Sequence, residues 1–86
     1  MASYKIEFSS EAERFLDKTD AKTSLRIAKA VGKLSADPRP PGCKKLVGAE
    51  SEYRIRIGDY RVIYQVRKAV LMVFVIRIGH RKDIYR

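Results

Sequence analysis

Residues 53–64 read YRIRIGDYRVIY, two runs of alternating apolar and polar side chains on either side of Gly58 and Asp59. Alternation with a period of two is typical of a strand with one buried face, and a two-residue break led by glycine is typical of a type II′ hairpin turn. This register places Arg56 opposite Arg61 on adjacent strands. One face of the hairpin is therefore apolar and aromatic. The other face carries Arg54, Arg56 and Arg61.

The sequence before this hairpin predicts a strand followed by two helices. Residues 3–8 alternate like an N-terminal strand. Ser10 and Glu13 have the spacing of a capping box, which predicts the start of a first helix. Thr19 and Asp20 predict a break and the cap of a second helix.

The second helix is predicted over about residues 21–36, where apolar residues recur at a spacing of three. Its predicted core face consists of Leu25, Ala28, Val31 and Leu34, with Ile27 beside them. Three prolines within residues 37–42 end it in a loop. The remaining chain predicts strands at about 53–57, 60–66 and 70–78, with a short last segment near 84–86. The architecture is thus α+β, with an N-terminal strand, a helical hairpin and an antiparallel β-meander whose third strand is central.

Length and composition limit the class of protein. A chain of 86 residues has room for one small core, which predicts a single domain over residues 1–86. The longest apolar run, residues 69–76, is far shorter than the roughly 20 residues that span a bilayer, which predicts no membrane association. Cys43 is the only cysteine, so an internal disulfide and a cysteine-based zinc site are excluded. A cytoplasmic protein is the simplest interpretation.

The charge points to an anionic partner. Nineteen Lys and Arg against ten Asp and Glu give a net charge of +9. Residues 1–36 hold seven basic and five acidic side chains, whereas residues 37–86 hold twelve and five. Such a surface repels itself, which predicts binding to nucleic acid, an acidic protein or both. The alternative is a basic surface that serves solubility alone.

The residue types also limit the chemistry. His80 is the only histidine, so a two-histidine pair for RNA cleavage is excluded, and the scattered carboxylates predict no metal site. No phosphate-binding glycine motif is present. An arginine-rich groove could still cleave RNA, because the 2′-hydroxyl is the nucleophile and guanidinium groups stabilise the phosphorane more than the ground state. These residues do not identify a general base.

The hairpin of residues 53–64, the segment IGHRKDIY at 78–85 and the preceding Lys44-Lys45-Leu46 resemble the RelE branch of the RelE/ParE toxin superfamily. The resemblance spans nearly the whole chain. It implies a toxin of a type II toxin–antitoxin system that needs no metal or other cofactor. It further implies a ribosome-dependent endoribonuclease that cuts mRNA in the ribosomal A site through attack of the 2′-hydroxyl.

The resemblance implies roles for individual residues as well. Arg61 matches the arginine that stabilises the transition state, and Arg81 the one that contacts the phosphate or protonates the leaving group. Tyr85 matches the tyrosine that orients or activates the nucleophile. Arg54 and Arg56 stand where well-studied members carry lysines, which keeps phosphate binding but weakens any role as proton acceptor. The predicted RNA- and phosphate-binding residues are Arg54, Arg56, Lys44, Lys45, Arg77, His80 and Lys82.

The implied partners are an acidic RelB-like antitoxin, mRNA and the ribosome at the 16S rRNA region of the A site. Two alternatives stay open. One is a ParE-like toxin that inhibits DNA gyrase through protein contacts, against which the retained Arg61, Arg81 and Tyr85 argue. The other is a non-cleaving RNA-binding member with a degenerate site, which would bind RNA with a strong salt dependence and leave it intact.

Overall fold

The computed structural model describes residues 3–46, 48 and 51–80. Within these ranges the chain follows the predicted order of strand, helical hairpin and meander. The elements are β1 (Lys5–Phe8), α1 (Ser10–Lys18), α2 (Ala21–Gly32), β2 (Lys44–Lys45), β3 (Glu52–Ile57), β4 (Tyr60–Arg67) and β5 (Met72–His80). Short 3-10 turns at Lys33–Ser35 and Lys68–Val70 follow α2 and β4. The predicted α+β architecture is confirmed.

The described strands form one sheet in the order β1-β5-β4-β3-β2. Strands β2 to β5 pair antiparallel, as expected for a meander, and β1 adds to the edge of β5 in parallel. Strand β5 is therefore interior, in agreement with its apolar sequence, while β4 occupies the middle. Both described helices fall short of the length and apolar character needed to cross a membrane.

The cap of helix α1 lies one residue before the predicted cap, and the helix begins at Ser10. The Ser9 hydroxyl, not that of Ser10, accepts a hydrogen bond from the Ala12 amide at 3.0 Å and donates one to the Ile76 carbonyl at 2.6 Å. The backbone amide of Ser9 also donates to the Val75 carbonyl. Ser9 is favoured as the cap because it satisfies the helix end and ties it to β5 at the same time.

Helix α2 begins at the predicted cap. The Asp20 carboxylate accepts from the Thr23 amide at 3.0 Å. Hydrogen bonds from the Thr23 side chain and then from its backbone amide lower the pKa of Asp20. A negative charge at this end also suits the helix dipole.

The core face of α2 differs from the predicted one. Ile27, Val31 and Leu34 are buried, whereas Leu25 is 59% exposed and Ala28 is also exposed. Each residue of an α-helix turns about 100°, so residues three apart are separated by about 300°, which is about 60° short of a full turn. A series at that spacing therefore leaves the core face, while the observed spacing of four and then three stays on it.

Strand β5 begins two residues later than predicted. The chain turns at Lys68–Val70, and Val70 is 62% exposed. Leu71 follows with a φ of 49°, in the left-handed region that ends the turn. The apolar run of residues 69–76 therefore belongs partly to the turn and partly to the strand. The sequence did not reveal this boundary, because periodicity cannot separate a turn from a strand within a continuous apolar segment.

The core lies between the two helices and one face of the sheet, here called the helix face. Its largest fully buried side chain is Tyr64, whose hydroxyl donates to the Pro38 carbonyl at 2.7 Å. Burial raises the pKa of Tyr64 above its ordinary value. This hydrogen bond fixes the proline loop to the sheet. The buried residues of this core are Ala12, Ile27, Val31, Leu34, Ile55, Ile57, Val62, Tyr64, Val66, Val73, Val75 and Ile78.

Candidate nucleic-acid interface

The β3–β4 hairpin has the predicted register, with Ile57 opposite Tyr60 and Arg56 opposite Arg61. Gly58 has a φ of 59°, and Asp59 is not among the described residues with positive φ, which fits a type II′ turn. The guanidinium of Arg26 from α2 lies 3.0 Å from the position a Gly58 Cβ would occupy. The positive φ favours glycine at this position, whereas the Arg26 guanidinium, at the end of a flexible exposed side chain, leaves room to adjust.

The face of the sheet opposite the helices carries the predicted arginines and is here called the arginine face. Arg54, Arg56 and Arg61 alternate with buried residues of the helix face. Lys44 lies opposite Arg54 and so shares this face. Arg56 is exposed, whereas Arg54 and Arg61 are partly buried, and the Nε atom of Arg61 is fully buried.

A bulge in β5 adds Arg77 to the arginine face. The pairing shifts between Ile63 and Tyr64, so that Ile63 pairs with Arg77 and Tyr64 with Val75. Ile76 is the additional residue, and it packs on Ile63 within a second small cluster. A bulge directs two consecutive residues of one strand toward the same side of their single partner.

Arg77 is oriented by an ion pair at the start of α1. Its Nε atom lies 2.9 Å from an oxygen of Glu11, and both side chains are about half exposed. Such an exposed pair adds little stability, but it restricts the directions in which the remaining guanidinium N–H groups point.

A pocket of about 210 Å³ opens beside Arg77 on the arginine face. Ile63 and Ile76 form its apolar part, and Glu52 and Arg77 supply one carboxylate and one guanidinium. Ile63 follows Arg61 by two residues on β4, so the pocket lies about 7 Å along the strand from the arginine pair.

Other predicted residues do not share this face. Lys45 lies opposite Tyr53, and His80 lies opposite Tyr60, so both belong to the helix face. The His80 ring contacts the edge of Tyr60, with ring centroids 5.6 Å apart. His80 therefore belongs to an aromatic group at the hairpin end of the helix face and not to the arginine group. The predicted residues Arg81, Lys82 and Tyr85 lie outside the described residues.

The arginine face is suited to an anion. Side chains directly opposite one another on antiparallel strands have Cβ atoms about 5 Å apart, and like charges at this distance destabilise the sheet. A phosphate between Arg56 and Arg61 would replace repulsion with forked, charge-assisted hydrogen bonds. Within the described ranges no group of three or more His, Cys, Asp or Glu side chains is arranged to hold a metal ion.

Two further residues near the hairpin were not predicted from the sequence. Glu52 precedes Arg54 by two positions, so the period of two that identified the arginines also places it on their face. Arg26 had no comparable signal, because its position over Gly58 depends on how α2 packs against the hairpin.

Fold and site together define a small basic α+β protein whose sheet groups its arginines on the face opposite the helices. A family model, described as the ParE toxin of the type II toxin–antitoxin system parDE, matches residues 6–85. The chain therefore belongs to this family of type II toxins, within the RelE/ParE superfamily.

Individual relatives come from the RelE side of the superfamily. Toxin RelG of Mycobacterium tuberculosis (strain ATCC 25618 / H37Rv) is 30% identical over 84 residues, which cover 96% of this chain and 97% of RelG. A putative RelE-like toxin protein of Escherichia coli is 29% identical, over 95% of this chain and 90% of its own. A chain of the intact E. coli RelBE toxin–antitoxin complex has a TM-score of 0.82 at 27% identity, with 98% and 100% coverage.

Proposed function

We propose that this toxin is a metal-independent endoribonuclease that cuts mRNA in the ribosomal A site through attack of the 2′-hydroxyl. The observation that carries the proposal is the cross-strand pair of Arg56 and Arg61 on the sheet face opposite the one that packs against the helices. The pair disfavours the empty sheet and favours a bound phosphate. The similarity to proteins named Toxin RelG and putative RelE-like toxin supports a RelE-type activity.

In the proposed reaction the 2′-oxygen forms a bond to the adjacent phosphorus, and the bond from phosphorus to the 5′-oxygen breaks. Arg61 stabilises the negative charge that develops on the non-bridging oxygens. Its partial burial favours this role, because a donor shielded from water interacts more strongly with developing charge. Arg81 contacts the phosphate or protonates the leaving oxygen, and Tyr85 orients or activates the 2′-hydroxyl.

The ribosome completes the site in this proposal. Arginine is a poor proton acceptor, and Arg54 and Arg56 replace the lysines of well-studied members. The chain is therefore expected to cut poorly by itself and well on mRNA held by the ribosome, with 16S rRNA contacting its basic surface. An acidic RelB-like antitoxin is the second proposed partner, because the solved relatives include complexes of RelE with RelB.

Primer extension on mRNA tests the proposal. Wild-type protein is incubated with mRNA alone and with programmed ribosomes, and every cut is mapped against the reading frame. Cuts that occur only with ribosomes and keep the register of the A-site codon are expected. Arg81→Ala should abolish these cuts, and Tyr85→Phe should reduce them if the hydroxyl acts chemically. An unchanged cutting pattern in Arg81→Ala would contradict the assignment.

A gyrase-directed activity is the second candidate, because the family model that matches carries the ParE name. Such a toxin acts through protein contacts and has no need of the arginine pair. It predicts intact mRNA under both conditions and gyrase-dependent DNA cleavage in a supercoiling assay. Toxicity without cuts, accompanied by gyrase inhibition, would favour this candidate.

A further inference from the structure

Two arginines flank one buried residue on the arginine face. Ile63 of β4 pairs with Arg54 on one side and with Arg77 on the other. Adjacent strands lie about 4.8 Å apart, so the backbones of the two arginines are separated by about 10 Å. Ile63 is only 3% exposed and packs with Leu46 and Ile76, so it offers a ligand no contact of its own. A ligand at this position is therefore held by the two flanking guanidinium groups.

This row of residues lies one step along the sheet from the arginine pair, Arg56 and Arg61. Arg54 precedes Arg56 by two residues, which corresponds to about 7 Å along β3. One nucleotide step of an RNA strand bridges such a distance, so a phosphate at the arginine pair brings a neighbouring phosphate between Arg54 and Arg77. Glu52 lines the pocket beside Arg77 and opposes this phosphate by its charge, so both guanidinium groups have to point toward it.

The direction of the Arg77 side chain depends on Glu11 in the first turn of α1. The Arg77 Nε atom lies 2.9 Å from a carboxylate oxygen of Glu11, and both side chains are about half exposed. A guanidinium presents its N–H groups in a planar fork, so a bond at Nε fixes the plane and leaves the terminal N–H groups for a ligand. Without Glu11, RNA binding would have to order a long and exposed side chain, which lowers affinity.

We infer that Glu11 is a positioning residue of the RNA site. It holds Arg77 so that the terminal N–H groups form a clamp with Arg54 on a second phosphate, next to the one at the arginine pair. The inference rests on the proposed function in one respect, namely that RNA lies along the arginine face. It gives a carboxylate outside the sheet a function in binding a polyanion.

This role predicts an effect opposite in sign to that of general electrostatics. Removal of a negative charge from a protein that binds RNA ordinarily strengthens binding, because the carboxylate repels phosphates. If Glu11 positions Arg77, loss of its charge weakens binding instead. Glu13 is the matched control, because it is also an exposed carboxylate in the first turn of α1 and interacts with the same helix dipole.

Binding of an RNA that cannot be cut tests the inference. The probe is a short, fluorescently labelled 2′-O-methyl oligouridine, and anisotropy reports its affinity at a series of salt concentrations. Glu11→Gln is expected to weaken binding by about two- to fivefold. Glu13→Gln should leave binding unchanged or strengthen it. Arg77→Gln should weaken binding by at least about fivefold and lower the salt slope by about 0.7, as for loss of one phosphate contact on a single strand.

A double-mutant cycle separates positioning from charge. In the Arg77→Gln background, Glu11→Gln should no longer weaken binding and should behave like Glu13→Gln, because no guanidinium remains at position 77 for Glu11 to hold. In mRNA cleavage on programmed ribosomes, Glu11→Gln should raise KM and leave kcat near the wild-type value. The reason is that the clamp acts on a phosphate that is not cut.

Three results would overturn the inference. These are unchanged or stronger RNA binding by Glu11→Gln, the same weakening by Glu11→Gln with and without Arg77, and a weakening that Glu13→Gln shares. Thermal melting verifies that each variant is folded, as expected for substitutions of exposed side chains. A chain that shows the Glu11 effect but does not cut mRNA contradicts only the proposed cleavage. A chain that cuts mRNA in the register of the A-site codon without the Glu11 effect contradicts only the positioning role.

Discussion

The two faces of the β3–β4 hairpin share one backbone but are stabilised very differently. On the helix face, Val62 and Tyr64 are fully buried against the two helices. On the arginine face, Arg56 and Arg61 lie side by side, where like charges oppose folding. The helix face is thus selected for packing. The arginine face places two like charges directly opposite one another, which packing does not require and which the proposed phosphate binding would explain.

Removal of core volume should produce the largest loss of stability. Ile27→Ala is expected to lower the free energy of unfolding by about 2–5 kcal/mol, because Ile27 is fully buried between α2 and the sheet. Leu25→Ala, on the exposed side of the same helix, should change it by less than about 0.5 kcal/mol. Urea unfolding of both variants measures the difference. Similar losses in the two variants would contradict the assigned orientation of α2.

Removal of the central arginine should affect activity and leave folding intact. Arg61→Ala is expected to lower the rate of A-site cleavage by about 10²–10³-fold, as for loss of one transition-state donor. Arg67→Ala is the control, because Arg67 is exposed at the other end of β4 and contacts Phe74. Cleavage of mRNA on programmed ribosomes and unfolding of each variant in urea are measured in parallel. Full activity of Arg61→Ala would remove Arg61 from the catalytic site.

Loss of the Tyr64 hydroxyl should have a smaller effect on the helix face. Tyr64→Phe is expected to lower the free energy of unfolding by about 0.5–1.5 kcal/mol, because the hydrogen bond to the Pro38 carbonyl is lost. The ring stays, so packing is preserved. An effect near zero in urea unfolding would indicate that water replaces this bond at no cost.

Tyr64 also predicts a pH dependence. Its pKa is raised in the folded state, so its contribution is fully present below its ordinary pKa near 10 and is lost as the pH rises through the folded value. Wild-type stability should therefore fall in alkaline solution, and Tyr64→Phe should lack this part of the fall. Urea unfolding at neutral pH and above pH 10 compares the two. Equal losses of stability in the wild type and in Tyr64→Phe above pH 10 would contradict the assignment of this pH dependence to Tyr64.

The smallest expected effect tests the opposition between stability and binding. Arg56→Gln should raise the free energy of unfolding by about 0.2–1 kcal/mol, because it relieves repulsion with Arg61. The same change should weaken RNA binding and reduce its salt dependence. Arg67→Gln controls for loss of a positive charge elsewhere on β4. A variant that is both less stable and unchanged in RNA binding would refute the functional interpretation of the pair.

Much of the hairpin could be predicted because its signals are local. The alternation of Ile55 and Ile57 with Arg54 and Arg56 depends only on the period of two of an extended chain. Gly58 marks the turn because few other residues adopt its conformation. The cap at Asp20 is equally local, since its partner is three residues away.

Predictions failed where two signals were locally equivalent. Ser9 and Ser10 are both able to cap a helix, and the choice between them came from the bond of Ser9 to Ile76, which is distant in sequence. Leu25 and Ile27 are both apolar, and only packing against the sheet determined which of them is buried. Sequence patterns therefore located the helices to within a few residues but not their buried sides.

By itself, the sequence determined the fold class, the register of the β3–β4 hairpin and the face on which Arg54, Arg56 and Arg61 lie. These features follow from short-range backbone geometry, which each residue shares with its immediate neighbours. Only the tertiary structure decided that a bulge at Ile76 turns Arg77 toward those arginines and forms a pocket with Glu52. A bulge arises from pairing between distant strands, so its position depends on contacts that no local pattern contains.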